Sequence, residues 1–162
     1  MPEQHAGEIL TSAGLEDLGG PITAFTPTLT AATDDPDLGT GGTAALTWSR
    51  QGDLVVGRFH IQFGTSGVDE GFGRYFVDLP VPAEPGGLSR LVLGAGWIRD
   101  DSDSSSSGTK LIVLDLALDE DPTGGLMRPA VEGNRFVSDA TPWTWNTSDE
   151  LMGEFAYPGD FT

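Results

Sequence analysis

From residue 23 onward, hydrophobic positions recur at every second residue. Phe25, Leu29 and Ala31 alternate with threonines, and Ala44, Leu46 and Trp48 alternate with Thr43, Thr47 and Ser49. After the tight Gln51-Gly52-Asp53 connection, Val55, Gly57, Phe59, Ile61 and Phe63 alternate with Val56, Arg58, His60 and Gln62. Two such runs across a short glycine turn predict a hairpin with one buried and one wet face. Further strands are predicted over residues 74–79, where Pro80 ends ladder pairing, and over 88–98, loosened by Gly94 and Gly96. The most hydrophobic strand is predicted over 110–118, with Ile112, Leu114, Leu116 and Leu118 on one face. Weaker strand patterns cover 135–137, 141–145 and 151–157. Strands this frequent, with turn residues and no convincing helix between them, predict an all-β fold: a single antiparallel β-sandwich, jelly-roll-like.

Residues 1–22 break this pattern. They are mixed and glycine-rich, with short helical potential around residues 8–18 but no amphipathic stripe. They are read as an extended N-terminal arm that orders by docking, ahead of a β-sandwich domain over 23–162. No repeat of solenoid type is present.

Composition supports one domain. A chain of 162 residues can bury its own core, and 23 Gly with 11 Pro suit short strands joined by turns. The absence of cysteine excludes disulfides and Cys zinc sites. Charge narrows the partners. The formal net charge is −17, and Lys110 is the single lysine. Such a surface repels nucleic acid and anionic membranes, so neither is expected as a partner. No stretch approaches the ~18 apolar residues of a membrane span. The stretch from Met1 to Glu8 lacks the basic and apolar regions of a secretory leader, so synthesis in a host cytoplasm is expected.

The catalytic inventory is thin. Only His5 and His60 supply imidazoles, and His60 falls on the polar face of its strand with Arg58 and Gln62. No Gly-x-Ser-x-Gly, His-Glu-x-x-His or Walker motif occurs, and Gly71-Phe72-Gly73 lacks the rest of a dinucleotide fingerprint. Asp115, between Leu114 and Leu116, is expected to point outward. An enzyme is therefore not expected, and no cofactor beyond a possible calcium ion. Asp100, Asp101 and Asp103, in the polar loop 100–108, are hard oxygen donors suited to calcium. EF-hand spacing fails there, with Ser106 and Ile112 at the sixth and twelfth positions from Asp101, and a solvated loop is the plainer reading. Asp34, Asp35 and Asp37 form a second acidic turn. Trp143 and Trp145 share a face two residues apart. Packing in the core or a subunit interface is the plainer reading, and a sugar-stacking ligand platform the sharper one.

One resemblance runs through the chain in order. Phe25-Thr26-Pro27-Thr28-Leu29-Thr30 is followed by the turn Asp35-Pro36-Asp37-Leu38-Gly39. Arg50-Gln51-Gly52-Asp53 then leads into Phe59-His60-Ile61-Gln62-Phe63-Gly64, and Phe76-Val77-Asp78-Leu79-Pro80-Val81-Pro82 ends a strand in Leu-Pro. Pro142-Trp143-Thr144-Trp145, Asp149-Glu150-Leu151 and Phe155-Ala156-Tyr157 close the series. Over residues 23–158 this resembles a small β-domain of tail-fibre and minor virion proteins of tailed phages. The resemblance implies a homo-oligomer, a trimer by habit, bound to the major capsid or a tail protein at the virion surface. With a head and an arm but no long upstream fibre, the expected role is a capsid decoration or head-appendage protein. The alternative is a tail-tip module recognising host-surface glycan.

Overall fold

The computed structural model describes residues 20–161 apart from 106, 107, 133 and 134. His5 and nearly all of the arm lie outside the described residues. The described chain forms ten strands: β1 (Thr23–Phe25), β2 (Leu29–Ala31), β3 (Thr43–Gln51), β4 (Leu54–Gln62), β5 (Tyr75–Asp78), β6 (Val92–Arg99), β7 (Thr109–Leu116), β8 (Leu126–Val131), β9 (Arg135–Phe136) and β10 (Glu150–Pro158). They pair antiparallel in one strongly curled sheet, in the order β1-β3-β4-β10-β6-β7-β8-β5-β2, with β9 beside β8. The fold is thus all-β, as the period-two pattern predicts. Among the described residues no helix is long and apolar enough to cross a membrane.

The hairpin lands as predicted. β3 and β4 pair in register from Thr43↔Gln62 to Gln51↔Leu54, and the turn places Gly52 at φ 64°, a value glycine adopts without strain. Leu46, Val55, Phe59 and Ile61 point into the core, while Arg58 and His60 are exposed. The two acidic turns have a structural role. Asp37 and Asp69 exchange backbone hydrogen bonds at 2.9 and 3.0 Å, joining the loop after β2 to the loop before β5. Their side chains each accept from the glycine two residues on, Gly39 N at 2.8 Å and Gly71 N at 2.9 Å. Asp35 Oδ1 accepts from Ala31 N at 2.8 Å. These are local Asx turns that shape the loops.

Two predicted elements change and one strand is added. Residues 88–91 are loop, and the strand begins at Val92. Residues 141–145 run through bends and coil rather than a strand. β8 is an additional strand, missed because Pro129 sits within it and because five of its six residues are buried, which erases alternation. Pro129 is tolerated for a geometric reason. Its carbonyl accepts from Val137 N at 2.9 Å, on the side away from β7. Backbone N and O of a strand residue point the same way, so the missing N–H falls on that side and leaves the β7–β8 ladder intact.

The curl depends on glycine at chosen positions. One inner-face row reads Leu46, Phe59, Gly153, Gly96, Ile112 and Val131 across β3, β4, β10, β6, β7 and β8. The next reads Trp48, Gly57, Phe155, Gly94, Leu114 and Pro129. Large side chains therefore lie beside glycines on neighbouring strands, which gives the rings room as the sheet bends over the core. A Cβ on Gly153 would stand 2.9 Å from both Leu114 Cδ1 and Phe59 Cε1, and one on Gly96 would strike the Met152 carbonyl. Gly96→Val should therefore lower stability by about 1–3 kcal/mol through overpacking, read as a lower urea midpoint with unchanged slope.

Candidate functional site

The outer face of β3, β4, β10, β6 and β7 carries an open trough of ≈ 640 Å³. Small side chains make its floor: Ala45 and Thr47 from β3, and Ala95 from β6. Met152 of β10 lies between them, and Trp97 and Leu111 form one wall. These two are register partners on β6 and β7, and they stay 47% and 80% exposed. Val113 and Val92 extend the same exposed apolar stripe. Arg58, His60 and Glu154 supply the polar groups. A second hollow continues the trough past Thr47, Arg58 and Glu154 to Ser49, Val56, Ala156 and the exposed Ile22.

Trp97 faces outward by regular alternation with the inward Gly96 and Ile98. The β6–β7 register shifts between Val92 and Gly94, so Leu93 also turns inward, out of phase with the Gly94, Gly96 and Ile98 series. Charges in the trough are matched. Arg58 lies directly opposite Glu154 across β4 and β10. Glu150 accepts from Arg99 at 3.2 Å and from Gln62 at 3.3 Å, and His60 Nε2 stands 3.8 Å from its other oxygen.

The sequence-predicted candidates lie elsewhere. Asp100, Asp101 and Asp103 do not converge on one point. Asp100 Oδ1 accepts from Ser102 N and Oγ at 2.9 and 2.6 Å, Asp101 Oδ1 accepts from Arg99 at 2.8 Å, and Asp103 Oδ1 accepts from Ser105 N at 2.9 Å. Among the described residues no group of three or more potential ligands is arranged to hold a metal ion. Asp100 and Asp103 thus cap turns of their own loop, while Asp101 pairs with Arg99.

The Trp143/Trp145 pair is not an exposed platform either. Trp145 is 2% exposed and packs against Phe63, Tyr75 and Trp143 with ring centroids 5.4, 5.6 and 6.1 Å apart. Trp143 is half-buried against the same core. Asp115 does lie opposite the Leu114 face, yet it is only 1% exposed. The Arg90 guanidinium covers it and donates to Oδ2 at 2.6 Å. His60 is exposed on the polar face, as its phase predicts.

The residue that sequence reading missed is Asp149. It is fully buried, and its carboxylate accepts from Asp101 N through Oδ1 and from Asn146 N through Oδ2, both at 2.9 Å. It ties the acidic loop to the turn before β10. Burial, and secondarily the nearby Asp100 charge, hold its carboxyl above the ordinary range despite the two N–H donors. Asp119 is held below that range by its hydrogen bond from Arg128. At Asp121 burial pushes upward, but Thr123 and Gly125 donors outweigh it and the net shift is downward.

No family model, curated protein or solved structure matches this chain.

Asp149→Ala leaves two buried N–H groups without an acceptor and should cost about 2 kcal/mol at neutral pH. The native Asp149 binds its proton more tightly than the unfolded one. Its contribution to stability therefore grows as pH falls from its raised native pKa toward the ordinary carboxylate value. Asp119 and Asp121 act oppositely, stabilising above the ordinary value and losing that effect as pH falls through their lowered pKa values. Urea unfolding of both proteins across this range should show the stability gap between wild type and Asp149→Ala widening toward acid.

Proposed function

We propose that this chain is a non-enzymatic structural protein displayed on the surface of a tailed-phage particle. Its role is decoration of the capsid or of a head appendage, with anchoring through residues 1–22 and assembly as a homo-oligomer, a trimer by the habit of the resembling family. The fold reading that goes with it is a jelly-roll-like sandwich, in which the two ends of the curled sheet act as facing layers over one core.

The observation that carries the proposal is the open outer face of the sheet. A broad trough with matched charges and an apolar wall suits a protein that docks, because a docking surface needs area and complementarity rather than a converging set of reactive groups. The ordered motifs of residues 23–158 support the phage assignment, and several fall at punctuation points of the fold. Asp35-Pro36-Asp37-Leu38-Gly39 builds one of the paired loops, and Leu79-Pro80 follows the end of β5.

Gold-tagged antibody on purified particles should place label on the head or its appendages, and removal of residues 1–19 should leave a folded protein that no longer incorporates. Absence of label from particles, or full incorporation of the truncated chain, contradicts the role.

A second reading, tail-tip recognition of host-surface glycan, has one observation in its favour. Trp97 offers a half-exposed ring beside Arg58, His60 and Glu154, the mixture of aromatic face and polar groups that orients a ligand. On that reading Trp97→Ala abolishes adsorption to the host and binding on a glycan array, while Trp143→Phe leaves both intact. Unchanged adsorption of a folded Trp97→Ala protein removes it.

A further inference from the structure

We infer that the outer face of β3, β4, β10, β6 and β7 is the surface through which one copy of this chain packs on another, ridge into groove. The inference rests on the homo-oligomeric part of the proposed role and assigns that contact to a face; because like faces meet, the contact closes as a two-fold pair in place of the family's trimer.

Four observations lead there. The first is the composition of the exposed stripe. Trp97, Leu111 and Val113 are adjacent in the β6–β7 ladder and stand in solvent together with Val92. A contiguous apolar stripe of this kind on a charged protein marks an interaction site. Its aliphatic members offer nothing to sugar hydroxyls, which favours a protein partner over a glycan.

The second is shape. The ridge of Trp97 and Leu111 stands beside a hollow floored by alanine, threonine and methionine, so knob and hole occur on the same patch. A surface carrying both can receive its own kind.

The third is charge. The chain carries −17 overall, yet on this face Arg58 stands opposite Glu154 and Arg99 pairs with Glu150. Placing like faces together would be repulsive anywhere strongly acidic, and it is permitted where the formal charges cancel. A neutral face also gives no electrostatic handle to a strongly basic or acidic foreign partner.

The fourth is area. The five strands run to eight or nine residues each. At about 4.8 Å between strands and about 3.4 Å per residue, the face measures about 24 by 29 Å, or about 700 Å² per copy. Two copies would bury about 1,400 Å², within the range of stable protein pairs.

Sedimentation velocity of the full chain over a concentration series tests this. The wild type should sediment as a dimer. Leu111→Glu should shift it to monomer mass, with unchanged far-UV circular dichroism because residue 111 is already solvent-exposed. Phe72→Glu, which adds the same charge at an exposed position off this face, should remain oligomeric. A wild type that stays monomeric throughout overturns self-association itself. An oligomer that survives Leu111→Glu overturns the assignment to this face and leaves self-association standing. A monomeric wild type whose fluorescence responds to oligosaccharide, with the response lost in Trp97→Phe, overturns the inference in favour of a sugar. Particle labelling decides the virion role separately.

Discussion

Phe155 lies between two glycines, Gly57 on β4 and Gly94 on β6, and Gly153 two residues earlier faces Gly96. This lateral exchange of bulk for emptiness controls the sheet. A Cβ on Gly57 would stand 2.5 Å from the Phe155 ring. Side chains at these four positions would hold the strands flatter and separate Phe59 from Leu114 across Gly153. With glycine there, the sheet bends tightly enough for β3 and β8 to contribute Leu46 and Val131 to the same buried cluster. The cost is conformational entropy in the unfolded chain, offset by burial of the large rings that glycine admits.

The outer trough has a different origin, in the small side chains of the central strands. Small side chains flanked by larger ones on the outer face leave a hollow. Ala45, Thr47 and Ala95 occupy that position, and the wall rises at Trp97 and Leu111. The trough therefore follows from which outer-face positions carry small side chains, and regular alternation from Gly94 to Arg99 puts the indole on its wall.

Period-two alternation made the central hairpin legible, including the outward set Arg58, His60 and Gln62. The same reasoning failed where the period is hidden. β8 is buried on both sides and carries a proline, so nothing in its string distinguishes a strand from a loop. The phase of this strand could not be read, because Leu93 and Ile98 both face inward across a bulge that leaves no mark in composition. Asp100, Asp101, Asp103, Trp143 and Trp145 drew notice because of their residue types. The three carboxylates meet groups two residues away, whereas Trp145 packs on the distant Phe63 and Tyr75 and the loop backbone is held by Asp149, which an acidic chain gives no reason to single out. The carboxylates that matter most to this fold, Asp149 and Asp115, are the buried ones, and burial is not written in the local string.

Charge and curvature finally bear on one another. A chain this acidic repels copies of itself at long range, and that repulsion fades beyond about 8–10 Å at physiological ionic strength. What then decides association is the local face that two molecules present. On the central strands, Arg58 and Arg99 are set against Glu154 and Glu150, so the acidic excess lies in loops and turns around the sheet. Many of those acids are committed to shaping turns, as Asp35, Asp37, Asp69, Asp100 and Asp121 show. The net charge is thus largely a by-product of turn chemistry on a many-turned β fold, and the balanced sheet face is where this molecule can approach a neighbour without opposing its own field.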